Sequence, residues 1–145
     1  MMLSLRKANI KDAEFLFELR NNPDIFKYYR NPVKVVWNEH ISWLKSVVLG
    51  ETNKDLYIIE LDGKRAGQIR FDTEGDKKEL SISLQKDFQG QGLGSKSLKK
   101  AIEMEKSVIL IAEIHKENIA SIKLFEKFNF KLQKNKGNFN IYERI

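Results

Sequence analysis

Three glycines at alternating positions form the clearest candidate for a functional site in this sequence. Gly90, Gly92 and Gly94 lie in the segment 89–95, and a helical pattern of apolar residues follows at once. Without side chains the backbone can approach a ligand closely, and the first N–H groups of a helix have no partner within that helix. The positive end of the helix dipole favours an anion there, so a phosphate or pyrophosphate is the expected ligand. Three basic side chains follow nearby: Lys96, Lys99 and Lys100.

The spacing of this loop does not fit either of the common nucleotide-binding motifs. A Walker loop ends in Gly-Lys-Ser or Gly-Lys-Thr, whereas this one continues as Gly94-Ser95-Lys96. The dinucleotide motif G-x-G-x-x-G requires a third glycine where Ser95 stands. A glycine-rich loop alone is weak evidence, so a flexible turn without a ligand is the alternative interpretation.

Composition and charge restrict the other kinds of chemistry. The 145 residues contain no cysteine and only two histidines, so disulfides, thiolate zinc sites and cysteine nucleophiles are excluded, and no metal site is expected. The net charge of +6 is spread along the chain, with basic and acidic residues alternating in 100–106 and 116–127, so no nucleic-acid partner is expected. No apolar run approaches the length of a membrane span, and charge appears early in the N-terminal segment 1–6. We therefore expect a cytoplasmic protein without a membrane partner.

The periodicity of the apolar residues predicts one domain over 1–145, of the α+β or α/β class with a mixed sheet. The predicted order is βααβββαβαββ, with one βαβ crossover in the second half. Strands are predicted at 3–7, 56–61, 64–72, 80–84, 107–114, 130–132 and 139–142. Helices are predicted at 12–22, 37–49 and 118–128, and one more directly after the glycine loop. The nearly continuous apolar run in 107–114 predicts a strand that is buried on both faces.

Two segments resemble sequence motifs of the GNAT family of N-acetyltransferases. The first, Q-x-x-G-x-G at 89–94, is similar to the family's acetyl-coenzyme A signature, Q/R-x-x-G-x-G/A, and it stands between the fourth strand and the third helix, as in that fold. The second, N-x-x-S-x-x-L-F-x-K-x-x-F at 118–130, is similar to the segment that closes the coenzyme site. The predicted element order matches too, so the resemblance covers essentially the whole chain. It implies an α+β fold with α/β/α layers around a mixed, mainly antiparallel central sheet.

The resemblance implies that acetyl-coenzyme A (acetyl-CoA) binds as a co-substrate, without a metal. Backbone amides of 91–95 would hold its pyrophosphate, and the strand edge at 82–84 would hydrogen-bond its pantetheine arm. The thioester would lie where that strand separates from strand 107–114. Asn118 would bond the pantetheine or phosphate region, or would only cap the helix that follows it. The implied coenzyme-binding residues are Ile82, Ser83, Leu84, Gln89, Gly90, Gln91, Gly92, Leu93, Gly94, Ser95, Asn118 and Phe125.

The second motif departs from the family at one position that concerns the mechanism. Many relatives have a tyrosine that protonates the departing thiolate, whereas this chain has Phe125. Ser121, one turn earlier, could hydrogen-bond the sulfur instead, or solvent could supply the proton. Glu79 is the candidate general base, and an exposed charge at a strand end is the alternative. A backbone N–H near Leu84 would stabilise the oxyanion.

The front half of the chain is expected to form the acceptor pocket. Segments L-R-N at 19–21 and H-x-x-W at 40–43 resemble a subgroup that contains ribosomal-protein N-acetyltransferases and the amino-sugar N-acetyltransferase of pseudaminic acid synthesis. The short chain and this pair of segments favour a UDP-linked amino sugar as the acceptor. The implied acceptor-binding residues are Arg20, Asn21, Tyr28, His40 and Trp43, near a basic and aromatic stretch at 26–30. The alternatives are a core position for Trp43 and a capped or exposed imidazole for His40.

Other functions are compatible with the same residues. A ribosomal-protein or peptide N-terminal acetyltransferase would use the same coenzyme site with another acceptor. A non-catalytic acetyl-CoA-binding module would keep the coenzyme site, and Phe125 would then mark the loss of catalysis. The protein is expected to be a monomer or a homodimer.

Overall fold

The helices and strands of the computed structural model lie within the residues that it describes, 2–106 and 108–145. The strands are β1 Leu3–Lys7, β2 Lys54–Leu61, β3 Lys64–Glu74, β4 Lys77–Leu84, β5 Ile109–His115, β6 Lys131–Lys136 and β7 Phe139–Arg144. The helices are α1 Ala13–Arg20, α2 Pro23–Phe26, α3 Trp37–Val48, α4 Leu93–Met104 and α5 Ile119–Lys127. Short 3₁₀ turns at Ile10–Asp12 and Lys86–Phe88 precede α1 and the glycine loop. None of the helices in these residues has the length and apolar character that a membrane span requires.

The described strands form one seven-stranded sheet in the order β1-β2-β3-β4-β5-β7-β6. Its strand pairs are antiparallel except for β4 and β5, which pair in parallel. The parallel pair follows from the crossover through α4, which returns the chain to the same end of the sheet. The mixed, mainly antiparallel sheet with helices on both faces confirms the predicted fold class.

Two hydrophobic clusters pack on opposite faces of the sheet. The back face packs against α4 and α5, with Leu80, Leu98, Leu110 and Phe125 among the buried residues. The front face packs against α1 and α3, with Leu16, Leu44, Leu56 and Ile58 among the buried residues. Successive strand residues point to opposite faces, and this places Ile58 in the front cluster and Ile59 in the back cluster. The contacts of α1 and α3 concentrate on β2 and β3. The part of the front face that β4 and β5 form therefore lies to one side of α1 and α3.

Local differences from the sequence prediction have simple causes. The short helix α2 was not predicted, because Pro23 was interpreted only as a stop, although proline also fits the first turn of a helix. β4 begins at Lys77, before the predicted start at 80, because a tight turn at Gly75 with φ of +64° extends the hairpin. The predicted start of β5 at 107 lies outside the described residues. Burial of β5 on both faces is wrong, because its residues alternate between buried and half-buried.

β4 and β5 separate after a short parallel stretch. Their pairing joins 77–79 to 109–111 and extends no further in the described residues. Beyond it, β4 stays paired with β3 as far as Leu84, while β5 stays paired with β7. The two strands thus form a V-shaped opening in the sheet, and the predicted separation of these strands is confirmed.

Gly67 on β3 holds one side of this opening in place. It lies opposite Leu84 in the β3–β4 register, and a Cβ atom at position 67 would collide with the backbone oxygen of Ser83. A side chain there would push β4 away from β3 and into the opening. Glycine at position 67 therefore allows β3 and β4 to pair closely beside the opening, a role that was not predicted from the sequence.

Candidate active site

One cavity of about 1270 Å³ passes through the V-shaped opening and joins both faces of the sheet. On the back face it is lined by the glycine loop and by the first turns of α5, including Asn118 and Ser121. On the front face it is lined by α3, by strand residues of β3 to β5, and by the segment that connects α2 to α3. The cavity therefore connects the predicted coenzyme site with the predicted acceptor pocket.

The glycine loop enters α4 through two residues with left-handed backbone. Gly90 has a φ of +74° and Gly92, the N-cap residue of α4, a φ of +77°. L-residues with a Cβ rarely adopt this conformation, so glycine is required at both positions. Gly94 differs, because its Cβ would meet the Cδ2 atom of Leu124 at 3.4 Å. Gly94 therefore allows close packing of α4 against α5, whereas Gly90 and Gly92 shape the loop.

Replacing Gly92 with valine is expected to weaken coenzyme A binding by about tenfold or more, because the left-handed conformation costs an L-residue roughly 1–2 kcal/mol. Gly137→Val is the matched control, since Gly137 has a φ of +64° in the β6–β7 turn and open space for a Cβ, as Gly92 has. Isothermal titration with coenzyme A measures both. Equal affinity of Gly92→Val and the wild type, with the fold intact, would contradict the assignment of this loop.

Side chains of the loop and its neighbours brace its backbone. The Gln89 side-chain amide donates to the Leu84 carbonyl oxygen at 2.9 Å, and the Gln91 amide donates to the Asp87 carbonyl oxygen at 2.9 Å. Lys127 Nζ on α5 donates to Ser95 Oγ at 3.2 Å. The glutamines thus hold the loop in shape through their side chains, and the loop offers its backbone to a ligand.

The start of α5 brings together the three residues that the second motif singled out. Asn118 caps the helix, because its Oδ1 accepts a hydrogen bond from the Ser121 backbone N–H at 3.3 Å. Ser121 is half-buried and lines the cavity. Phe125 is only 3% exposed and packs edge-on against Phe130, with ring centroids 4.9 Å apart. Phe125 is therefore a core residue that also borders the cavity.

Glu79 stands at the apex of the opening, on the last β4 residue that pairs with β5. Its side chain is 12% exposed and accepts a hydrogen bond from Arg30 Nη2 at 2.9 Å. Burial raises the pKa of Glu79, Arg30 opposes that shift, and the neighbouring carboxylates of Asp72 and Glu113 add to it. A half-buried carboxylate with a raised pKa at the junction of two strands is suited to accept a proton.

The connection from α2 to α3, residues 27–36, forms what we call the front loop, and α1 fastens it. Arg20 donates to the carbonyl oxygens of Asn31 and Val33 at 3.2 and 3.0 Å. Asn21 bonds both the N–H and the carbonyl oxygen of Val35, at 2.8 and 3.0 Å. The polar atoms of Arg20 and Asn21 are thus engaged in holding the front loop.

His40 and Trp43 form the wall of the cavity beside α1. His40 is buried, with Nε2 2.9 Å from the Ala13 carbonyl oxygen; since a carbonyl only accepts, Nε2 carries the proton. Burial lowers the pKa of His40, so its imidazole is held neutral. Trp43 is half-buried, and the Arg70 guanidinium lies 5.9 Å from its ring centroid. His40 is therefore not an exposed imidazole; its ring is buried and hydrogen-bonded to the backbone of α1.

Tyr28 and Glu113 complete the front of the cavity. The Tyr28 ring lies 5.5 Å from the His115 ring, at the outer end of β5. Glu113 accepts a hydrogen bond from Arg30 Nη1 at 3.0 Å and is 9% exposed. Glu113 was not predicted as a site residue from the sequence, although a lone carboxylate in the mainly apolar strand Ile109–His115 was a usable signal.

Comparison with known proteins finds relatives that match most of the chain. Residues 2–131 match the family model described as an acetyltransferase (GNAT) domain. Uncharacterized protein MJ1062 of Methanocaldococcus jannaschii is 32% identical over 96% of this chain, which spans only 30% of that protein. Acetyltransferase PseH of Campylobacter jejuni strain 81-176 is 26% identical over 86% of this chain and 80% of its own.

A solved structure of RimL, a ribosomal L7/L12 alpha-N-protein acetyltransferase in complex with coenzyme A, superposes with a TM-score of 0.82 at 20% identity, and covers 100% of this chain and 94% of that one. At this identity the similarity shows the fold alone. The family model covers most of the chain, and the predicted family is confirmed: the chain belongs to the GNAT family of acetyltransferase domains.

Proposed function

We propose that this domain transfers the acetyl group of acetyl-CoA to a primary amine that enters from the front face of the sheet. The observation that carries this proposal is the V-shaped opening, which joins a loop suited to phosphate groups with a pocket that contains carboxylates. An acyl group held in this opening is accessible from the front face, while its carrier occupies the back face. Family membership supports the same reaction class.

The residues of the back face fit coenzyme A. Gly90 and Gly92 give the loop backbone its left-handed turns, and the N-terminus of the twelve-residue helix α4 favours the pyrophosphate. The part of β4 that has left β5, residues 80–84, presents a strand edge on which the pantetheine amides can pair. Lys127, which already contacts Ser95, lies close enough to add a positive charge near the phosphates.

Three groups of this chain would then act on the reacting atoms. Glu79 would take the proton of the incoming amine, directly or through a water. The backbone N–H near Leu84 would donate to the acetyl oxygen as negative charge develops on it. Ser121 would donate a proton or a hydrogen bond to the departing sulfur, because Phe125 has no proton to give.

Replacing Ser121 with alanine is expected to lower kcat by about tenfold or more and to leave coenzyme affinity unchanged, since a positioned acid contributes about 10²–10⁴-fold where it operates. The backbone N–H of residue 121, which Asn118 caps, is kept in the variant. Steady-state rates with saturating acetyl-CoA, paired with coenzyme titration, measure the two effects separately. A decrease in kcat of less than about threefold would indicate that solvent protonates the departing sulfur.

Phe125→Tyr is the complementary variant. It adds a hydroxyl at the position where many family members carry their acid, and activity is expected to be equal or higher. If turnover disappears while folding and coenzyme binding persist, the buried ring of Phe125 has a packing role at the acyl group, and the acid does not belong at this position.

For the acceptor, we propose a UDP-linked amino sugar. The resemblance of segments 19–21 and 40–43 to the subgroup that contains an amino-sugar N-acetyltransferase supports this choice. Tyr28 and Trp43 offer apolar rings on the front wall, and Lys27 and Lys86 supply positive charge on the cavity lining for a diphosphate. Arg20 and Asn21 support the acceptor pocket by fastening the front loop.

Thiol release from acetyl-CoA with a panel of acceptors tests the reaction and the acceptor together. UDP-linked amino sugars are expected to give turnover, with peptides bearing ribosomal N-termini and polyamines as the competing classes. Turnover with peptides alone would show that the acceptor is a ribosomal-protein or peptide N-terminus and not an amino sugar. Coenzyme binding without turnover on any amine would support a non-catalytic acetyl-CoA-binding module.

A further inference from the structure

Arg30 of the front loop spans the V-shaped opening from the front face. Its Nη2 lies 2.9 Å from Glu79 Oε2 on β4, and its Nη1 lies 3.0 Å from Glu113 Oε2 on β5. The two carboxylates belong to the two strands that separate, so the guanidinium bridges the gap between them. An amine that pairs with both Glu79 and Glu113 from the front face must therefore take the place that this guanidinium occupies.

The side chains of Arg30, Glu79 and Glu113 differ in their exposure to solvent. The side chains of Glu79 and Glu113 are 12% and 9% exposed, whereas that of Arg30 is 54% exposed. The carboxylates are therefore fixed parts of the sheet surface, and Arg30 reaches them from the solvent side. Two carboxylates so close together and nearly buried require a cation between them, or one of them takes up a proton.

The front loop keeps its shape without the ion pairs of Arg30. Arg20 holds the carbonyl oxygens of Asn31 and Val33, and Asn21 holds both backbone groups of Val35. On the other side of Arg30, the Tyr29 hydroxyl lies 3.1 Å from Ser83 Oγ. The Arg30 side chain can therefore swing away from the carboxylates while its neighbours stay anchored.

We propose that Arg30 is an internal competitor of the acceptor: its guanidinium occupies the place that the acceptor's ammonium group takes between Glu79 and Glu113. This inference rests on the proposed acetyl transfer and specifies its substrate class. An aliphatic amine arrives protonated at neutral pH and satisfies the same two carboxylates, whereas a neutral aromatic amine does not. Displacement of Arg30 then leaves the ammonium beside Glu79, the group that takes its proton.

The competitor role differs in its kinetics from a positioning role. If Arg30 only competes, its removal makes the carboxylates available and lowers KM for protonated amines without lowering kcat. If Arg30 orients Glu79 for catalysis, its removal lowers kcat instead. Half-exposed ion pairs contribute little each, so the two together are expected to change KM by about three- to tenfold.

Steady-state kinetics of Arg30→Ala test the proposal, with spermidine and glucosamine as protonated amines and aniline as a neutral one. The expected result is a three- to tenfold lower KM for spermidine and glucosamine, a kcat no lower than half the wild-type value, and an unchanged KM for aniline. Lys34→Ala is the matched control, because it removes a positive charge from an exposed site on the same loop and should change nothing. A lower kcat at unchanged KM, or no change in either constant, overturns the proposal.

A binding experiment keeps the proposal testable if none of these amines is acetylated. Isothermal titration of spermidine into the protein, with and without coenzyme A, should show three- to tenfold tighter binding to Arg30→Ala than to the wild type. The double variant Arg30→Ala, Glu113→Gln should lose that gain. Failure of coenzyme A to bind would count against the proposed function alone. Equal spermidine affinity of the wild type and Arg30→Ala would overturn the competitor role.

Discussion

Replacing Glu79 with glutamine is expected to lower kcat/KM for the acceptor amine by about 10²–10⁴-fold, the usual contribution of a positioned general base. Glutamine keeps the size of the side chain, so coenzyme affinity is expected to stay unchanged. The carboxylate of Glu79 lies at the apex of the V-shaped opening, where the proposed reaction would bring an amine on the front face to an acyl group in the sheet. Glu51→Gln, at an exposed glutamate between α3 and β2, is the matched control and should stay within about twofold of the wild type.

The pH dependence of kcat/KM distinguishes a variant that has lost its general base from one whose active site is distorted. Burial raises the pKa of Glu79 against the opposing charge of Arg30, and the carboxylates of Asp72, Glu113 and Glu74 raise it further. A base acts only when deprotonated, so wild-type kcat/KM should fall as the pH drops through this raised pKa. Glu79→Gln should lack that acidic limb. If the variant keeps more than a tenth of the activity and the same acidic limb, another group accepts the proton.

Sequence alone was sufficient for the features that depend on local periodicity. The order of the strands and of the helices other than α2 follows from the spacing of apolar residues, and the glycine loop is visible from its alternating glycines, of which Gly90 and Gly92 adopt left-handed backbone. The start of α5 was identified at Asn118, although the sequence could not decide between a cap and a ligand contact. The Oδ1 of Asn118 caps Ser121, which assigns that oxygen to the helix.

The acceptor side was less predictable because it is assembled from distant segments. Arg30, Glu79 and Glu113 meet through the β4–β5 register and the path of the front loop, neither of which leaves a periodic signal. Arg20 and Asn21 were assigned to the acceptor from the resemblance, but both are bonded to the backbone of the front loop. The sequence showed that Arg20 and Asn21 are hydrogen-bonding side chains near the acceptor pocket, but the groups that they bond depend on the fold.

Asp12 is another residue whose role depends on distant partners. Its side chain is fully buried, and it accepts hydrogen bonds from Arg6 at 2.9 and 2.7 Å, from Arg65 Nε at 2.8 Å and from the Asn9 backbone N–H at 2.8 Å. These bonds tie β1 and β3 to the start of α1. Burial alone would raise the pKa of Asp12, but the bonds from Arg6, Asn9 and Arg65 outweigh it and hold the pKa at about 2.

Asp12→Asn is expected to lower the free energy of unfolding by about 2–3 kcal/mol at neutral pH, because holding the pKa of the carboxyl group at about 2 corresponds to a stabilisation of about 2.6 kcal/mol. Asp24→Asn is the matched control: Asp24 is exposed, its contact with Lys27 is 4.0 Å long, and the expected change is below about 1 kcal/mol.

The pKa of Asp12 lies below its ordinary value of about 3.9, so the carboxylate stabilises the fold above pH 3.9, and this stability is lost as the pH falls towards 2. The difference between wild type and Asp12→Asn in urea unfolding should therefore shrink below about pH 4. A difference under about 1 kcal/mol at neutral pH would show that the arginines find other partners, Glu60 for Arg6 first among them.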